Sequence, residues 1–283
     1  MYKFSLITIC LNPGNKLRMT LESAMRQSFT DFELIIKDGG SKDGSLDTIQ
    51  DFLQDDRVRL FEEKDKSIYD AMNQAVSHAQ GEYVFFLNCG DVLHDENVLA
   101  RVAAEEEKLR EASVAVQRRS DSNDLNARDR WILYGNIYSE KTKTQITPPS
   151  QITGFTCYRN IPCHQACFYD TALCREKPFE TKYKIRGDYE HFLWCFYRGN
   201  AKMHYMDTMV AVYEGGGYSE TKENLKRSKR EHKEITQKYM GKAELFMYRT
   251  IMVLTLAPLR TWISENPKLS RAYQGLVGRI YRR

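Results

Sequence analysis

No stretch of this 283-residue chain reaches the about 20 apolar residues a membrane-spanning helix needs. The N-terminal MYKFSLITICLN lacks the basic, apolar, then small-residue order of a signal peptide and reads as a strand. A phosphate-cradling GxxxxGK followed by Ser or Thr is absent, which excludes a P-loop. The turn after the first strand reads LNPGN, not GxGxxG, which argues against dinucleotide oxidoreductases and nucleotide-sugar epimerases. There is no CxxC pair. The seven cysteines (Cys10, Cys89, Cys157, Cys163, Cys167, Cys174 and Cys195) are odd in number and sit in apolar segments. That pattern points to reduced thiols in a cytoplasmic protein and against zinc. With 7 Pro and 16 Gly the chain is no low-complexity linker, and 42% apolar with 28% charged residues is ordinary globular composition. The length suffices for one large domain with an appendage.

The net charge of +4 conceals an asymmetry. Residues 222–283 hold 15 Lys/Arg against 5 Asp/Glu, leaving 27 basic and 33 acidic groups in the body. A strongly basic tail on a mildly acidic body faces an anionic surface, nucleic acid or lipid. No nucleic-acid reader motif accompanies the charge. Leu269, Tyr273, Leu276, Val277 and Ile280 stripe a helix whose other face carries Lys268, Arg271, Arg279, Arg282 and Arg283. Such a helix suits a membrane interface, and a homodimer contact is the alternative.

Phe4–Leu11, Phe32–Lys37, Val58–Phe61 and Tyr83–Leu87 read as strands. Helical stripes separate them: Leu17, Leu21, Ala24 and Met25, then Leu46, Ile49 and Leu53, then Ile68, Met72, Ala75 and Val76 behind a Ser67–Asp70 capping box. The alternation predicts an α/β fold with a mainly parallel sheet and helices on both faces. Further on, 104–130 reads as a helix and surface loop, Trp131–Tyr138 and Ile161–Tyr169 as strands, and Asp188–Gly199 as a helix. Thr221–Met240 reads as a solvent-facing helix and Leu245–Leu259 as an apolar one ended at Pro258.

Ligands on parallel sheets sit at the carboxyl ends of the strands. Asp38, Asp43 and Asp91 lie there. Such carboxylates can grip a base and ribose, or hold a hard divalent cation against a diphosphate. Asp43, before Gly44-Ser45, serves equally well as a turn cap.

The series ITICLN, IIKDGGSKDGS and EKDKSIYDAMNQAVSHAQGEYVFFLNCGD resembles the family 2 inverting glycosyltransferases of GT-A fold. The likeness is to bacterial enzymes of capsule, colanic-acid-type or O-chain synthesis, and it runs from about Lys3 to Ser219. It implies a GT-A domain over 1–220, with nucleotide-sugar binding in 1–100, the acceptor side in 131–220 and a basic helical extension over 221–283. By the same resemblance Thr8, Asn12 and Asp38 hold the base, with Asp43 and Asn88 also on the donor side. Lys66 pairs with phosphate or a sugar carboxylate, or is a solvated surface lysine. The family's metal-binding Asp-x-Asp reads Asn88-Cys89-Gly90-Asp91 here, so Asp91 alone carries over as the ligand of Mn²⁺ or Mg²⁺. Tyr183–Glu190 matches the segment bearing the catalytic base, which falls on Asp188. Asp188 also suits a helix N-cap, and Glu190 is the reserve. Cys163-His164-Gln165 matches an element lining the sugar or acceptor pocket. Glu214–Ser219 matches a loop closing over the diphosphate, or is a hinge.

The implied reaction is transfer of a sugar, from a UDP-sugar, to a polyprenyl-diphosphate-linked saccharide by a cytoplasmic enzyme peripheral to the inner membrane face. A sugar nucleotidyltransferase and a non-catalytic binding component of a polysaccharide complex are the rival readings.

Overall fold

The computed structural model describes residues 2–117, 129–215 and 221–255. The chain begins with β1 (Phe4–Cys10), α1 (Lys16–Met25), β2 (Phe32–Asp38), β3 (Val58–Glu62), α2 (Ile68–His78) and β4 (Tyr83–Phe86). β1 runs parallel to β2 and β4, and β2 parallel to β3. Continuous apolar strands are what two covered faces require: every residue of β2 is buried. Leu17, Leu21 and Ala24 of α1 pack with Phe4, Leu6, Leu34 and Ile36 on one face. α2 lies against β1 and β2. At its start the Ser67 hydroxyl accepts from the Asp70 N–H at 3.3 Å, while Asp70 Oδ2 accepts from the Lys66 N–H at 2.8 Å. Each fully buried Leu or Ile here contributes about 1.5–3 kcal/mol.

The second half adds β5 (Val92–Leu93), α3 (Val98–Gln117), β6 (Trp131–Ser139), β7 (Thr144–Ile146), α4 (Gly154–Arg159), β8 (Cys167–Asp170), α5 (Thr171–Glu176), α6 (Gly187–Tyr197), β9 (Lys202–Tyr213), α7 (Lys222–Tyr239) and α8 (Lys242–Leu254). The sheet order is β3-β2-β1-β4-β8-β6-β9-β5, with β7 on β6. β8 is antiparallel to both β4 and β6, whereas β6 and β9 are parallel. The sheet is therefore mixed, with its longest pairings parallel, and it has the GT-A architecture.

Several elements depart from the sequence reading. Leu46–Leu53 forms two short 3₁₀ turns, Ser45–Ile49 and Phe52–Gln54, instead of a helix. The strand expected from Ile161 begins only at Cys167, because His164–Ala166 is a 3₁₀ turn. α7 is not solvent-facing all round: Asn224, Ser228, Glu231 and Ile235 are buried. A polar helix hides a polar face only where partners satisfy it, and Glu231 has them. One compact unit runs to Lys233 and a second begins at Glu234, so the first extends beyond residue 220. α8 ends at Leu254, and the stripe from Leu269 onward lies outside the described residues, as do 216–220 of the glycine loop. Among the described residues no helix is long and apolar enough to cross a membrane. None of the seven cysteines forms a disulfide.

Candidate active site

The carboxyl ends of β1 and β2 are knitted together by the residues expected to hold a base. Asp38 is fully buried. Its Oδ2 accepts from the Gly40 and Ser41 N–H groups at 2.7 Å each, and its Oδ1 from the Ser41 hydroxyl. Burial pushes this carboxyl up, but the Ser41 and Gly40 bonds outweigh it and hold it below the ordinary carboxylate range. Asn12 has a left-handed φ of 50°; its N–H donates to Ser41 Oγ and its Oδ1 accepts from the Lys42 N–H, both at 2.8 Å. Exposed Asp43 accepts from the Gly14 N–H at 2.8 Å and from the Ser45 hydroxyl at 2.6 Å. These side chains thus set the shape of two adjoining loops. Thr8, which faces Ile36 in the β1–β2 register, is buried, and its Oγ1 has no hydrogen-bond partner.

Beneath this rim lies a buried cation that sequence reasoning passed over. The Lys37 Nζ is fully buried, 3.2 Å from Asp65 Oδ2 and 3.2 Å from the Asp38 carbonyl, and it also donates to the Glu63 carbonyl. It ties the ends of β2 and β3 into one piece. Lys66, next to Asp65, is exposed.

The turn after β4 is gripped from three elements. The Asp91 Oδ2 accepts from Gln165 Nε2 at 3.1 Å, and its Oδ1 from the Glu214 N–H at 2.9 Å. Thr20 of α1 donates its hydroxyl to the Asp91 carbonyl at 2.8 Å. Asp91 is 3% exposed, and burial pushes its carboxyl up to about 6 against the pull of the Glu214 N–H and the Gln165 amide. Gly90 has a φ of 98°, and a methyl there would overlap the Glu214 carboxylate, which pairs with Lys16 at 2.6 Å. Among the described residues no three His, Cys, Asp or Glu side chains gather into a metal cage.

His164 and Gln165 belong to the same cluster. The Gln165 Oε1 accepts from the Cys163 thiol at 2.7 Å, so both ends of its amide are fixed. Asn88 Nδ2 lies 3.1 Å from His164 Nε2. Burial lowers the His164 pKa, partly countered by the nearby Asp188 charge, so the ring is neutral at pH 7. A neutral ring accepting at Nε2 carries its proton on Nδ1, and that atom is buried without a partner.

Asp188 opens α6 and is half-buried, with its Oδ1 3.0 Å from the Tyr69 hydroxyl of α2. Its charge acts on both Cys163 and His164. Glu190, two residues on, points elsewhere and is fully buried in an ion pair with Lys177 at 3.0 Å. The structure therefore brings Asn88, Asp91, His164, Gln165 and Asp188 together, sets Thr8, Asn12, Asp38 and Asp43 at the neighbouring strand ends, and leaves Glu190 apart. Sequence reasoning missed Tyr69, Lys37 and Glu231. The EKDKSIYDAMN motif contained Tyr69, but nothing local distinguished it from a core aromatic.

The profile of glycosyl transferase family 2 matches residues 5–167. The chain belongs to that family. A PGL/p-HBAD biosynthesis glycosyltransferase of Mycobacterium bovis is 33% identical over 231 residues, 79% of this chain and 83% of the relative. A cholesterol galactosyltransferase of Borreliella burgdorferi is 24% identical over 161 residues, 56% of this chain and 41% of that one. Among solved structures, S. aureus TarS in complex with UDP-GlcNAc superposes with a TM-score of 0.61 at 18% identity, covering 85% of this chain and 68% of that one. This chain spans 60% of the TarS structure bound to UDP. The mannosyltransferase PcManGT from Pyrobaculum calidifontis, in complex with GDP-Man and Mn²⁺, superposes with a TM-score of 0.55 at 14% identity over 98% of this chain and 88% of that one. These likenesses give the fold, and the family makes the chain a glycosyltransferase.

Proposed function

We propose that this glycosyltransferase moves a sugar from a UDP-sugar to a lipid-linked saccharide with inversion at the anomeric carbon. The observation that carries the reading is the half-buried Asp188, held by Tyr69 and acting on His164, which in turn meets Asn88 three positions before Asp91. In an inverting transfer the acceptor oxygen attacks the anomeric carbon as the bond to the diphosphate breaks. Asp188 takes the acceptor proton on the face opposite the leaving UDP. The partnerless Nδ1–H of His164 is left for a sugar hydroxyl. Asp38, Asn12 and Asp43 act on the base by fixing the loops, and Thr8 Oγ1 offers a free polar atom beneath them.

A divalent cation, Mn²⁺ or Mg²⁺, fits the turn after β4. Such ions are held by one or two carboxylates together with substrate phosphates and waters. Asp91 would hold it, with the Glu214 carboxylate beside Gly90 as second oxygen donor. When bound, it would offset the charge gathering on the departing diphosphate. Of the structural neighbours, TarS carries UDP-GlcNAc, in keeping with a UDP-sugar donor, and PcManGT carries GDP-Man with Mn²⁺, in keeping with a cation.

A lipid acceptor, polyprenyl-diphosphate-linked, at the inner membrane face accords with α8, where Phe246, Met247, Val253 and Leu254 are exposed beside Lys242 and Arg249. A relative is named for cholesterol, also a lipid. A homodimer contact on α8 is the alternative. The deciding experiment incubates the protein with Mn²⁺, a polyprenyl-diphosphate-linked saccharide as acceptor, and UDP-glucose, UDP-galactose or UDP-GlcNAc, with an acceptor-free incubation to subtract hydrolysis. Release of UDP by the wild type, lost in Asp188→Asn with UDP binding intact, is the expected result. Pyrophosphate release in a parallel incubation with UTP and sugar 1-phosphate would mean a nucleotidyltransferase, and undiminished turnover in Asp188→Asn would remove the base.

A further inference from the structure

The loop leading to Asp188 has an unusual anchor. Glu231 of α7 is 7% exposed, and its carboxylate accepts three consecutive backbone N–H groups: Lys184 at 2.9 Å, Ile185 at 3.0 Å and Arg186 at 2.9 Å. One turn earlier on the same helix face, Ser228 Oγ accepts from Arg186 Nε at 2.8 Å. The Arg186 guanidinium also lies over the Tyr189 ring, 5.3 Å from its centroid. Arg186 is the residue before α6 and has no side-chain cap of its own. On its other side the loop is held by the Tyr69 hydroxyl, 2.8 Å from the Ile185 carbonyl.

Charge-assisted bonds from a carboxylate to backbone N–H groups are about twice as strong as neutral ones, and three on successive residues fix the direction of the chain. That chain continues directly into Gly187 and Asp188. Turnover is sensitive to such placement: a misplacement of about 1 Å can slow a reaction about 100-fold. The family match ends at residue 167, so base and anchor both lie beyond it.

We infer that Glu231 is a positioning residue: the first turns of α7 clamp the Lys184–Arg186 loop and so aim the Asp188 carboxylate at the acceptor hydroxyl. This rests on Asp188 being the base. It gives the polar helix a part in the reaction in place of a merely solvated face. A purely structural anchor would weaken folding and donor binding along with turnover. A clamp acting through Asp188 lowers turnover alone.

The test compares wild type, Glu231→Gln, Glu231→Ala, Asp188→Asn and the double variant Glu231→Gln/Asp188→Asn, with exposed Lys229→Ala as control. With Mn²⁺ and a polyprenyl-diphosphate-linked saccharide as acceptor, UDP release from UDP-glucose, UDP-galactose and UDP-GlcNAc gives kcat and donor KM, UDP titration gives affinity, and hydrogen exchange follows the Lys184, Ile185 and Arg186 amides. Expected are faster exchange at those amides in Glu231→Gln, kcat lower by about 10- to 100-fold, donor KM and UDP affinity within twofold, and a double variant no slower than Asp188→Asn. Unchanged exchange or unchanged kcat in Glu231→Gln overturns the clamp while leaving the base reading intact. Parallel loss of kcat and UDP affinity also overturns it, by showing a structural anchor. Full turnover in Asp188→Asn instead overturns the base reading, whatever Glu231 does. If Glu231→Ala does not fold, Glu231→Gln, of the same shape, decides.

Discussion

The Tyr69 hydroxyl stands 3.0 Å from Asp188 Oδ1 and 2.8 Å from the Ile185 carbonyl, sharing one proton between the carboxylate and the loop ahead of it. Burial, and then the Asp188 charge, push the Tyr69 pKa well above its usual value, so the phenol remains a donor at any pH the fold tolerates.

Tyr69→Phe removes that donor without emptying the space. We expect kcat to fall about tenfold, the value of one hydrogen bond to a charged group, with UDP affinity unchanged. Gly187→Ala should imitate it, because a β-carbon there would come within 2.7 Å of the Tyr69 ring. Steady-state kinetics beside UDP titration checks both, and an unchanged kcat in Tyr69→Phe would remove Tyr69 from the site.

As the proposed cation ligand, Asp91 would make cation binding depend on pH. Its carboxyl is raised to about 6, so the folded protein holds a proton there more tightly than the unfolded chain does. Relative to an ordinary carboxyl, that stability is complete below the unfolded value and disappears as pH rises through about 6. A cation must compete with the same proton. Mn²⁺ affinity in the presence of UDP should be flat above pH 7 and fall about tenfold per unit below 6. Calorimetric titration at pH 7.5 and 5 tests this, and Asp91→Ala should abolish the difference. A pH-independent affinity in the wild type would take Asp91 out of the cation site.

Lys37→Met leaves the Asp38 and Glu63 carbonyls and Asp65 without their buried cation. Breaking a buried pair by removing one partner costs roughly 3–5 kcal/mol. Urea unfolding should show a loss of about 3 kcal/mol, and UDP affinity should drop with it because the base-side loops share that anchor. A loss under about 1 kcal/mol would mean the loops hold their shape alone.

Phe246, Met247, Val253 and Leu254 are exposed on α8 beside Arg249. Sedimentation with phosphatidylglycerol vesicles, but not with phosphatidylcholine ones, is expected, and it should weaken in high salt. Phe246→Ser/Leu254→Ser should reduce it. Equal partition to both vesicle types would argue against an anionic surface, and a concentration-dependent dimer would favour the alternative.

The first hundred residues were legible because their information is local. Buried strands such as FELIIKD announce themselves by composition, and the strand ends follow from the strands. The Leu46–Leu53 stripe misled because Gly44, with a φ of 78°, starts a tight turn that continues as 3₁₀ segments. Asp38 was found by position, but its hydrogen bonds to its own loop depend on Gly40 and Ser41 adopting one turn geometry. Lys37 stood in the sequence only as the last residue of a strand, since only the folded β3 end supplies its partners. Glu231 was beyond reach of any periodicity argument, as its ligands lie on a loop brought to it by the tertiary fold.

The two halves of the sheet meet along a short seam. β4 pairs with β8 through Tyr83–Asp170, Val84–Tyr169 and Phe85–Phe168 only, and the family match stops at 167, where β8 begins. A chain cut there would lose most of β8 and leave the flank of β4 with unsatisfied amides and carbonyls, an invitation to pair with a neighbouring molecule. The portion that sequence comparison recognises most readily is therefore not a unit that could survive alone. Expressed by itself it should precipitate, whereas a chain carried on through α7 should remain monodisperse.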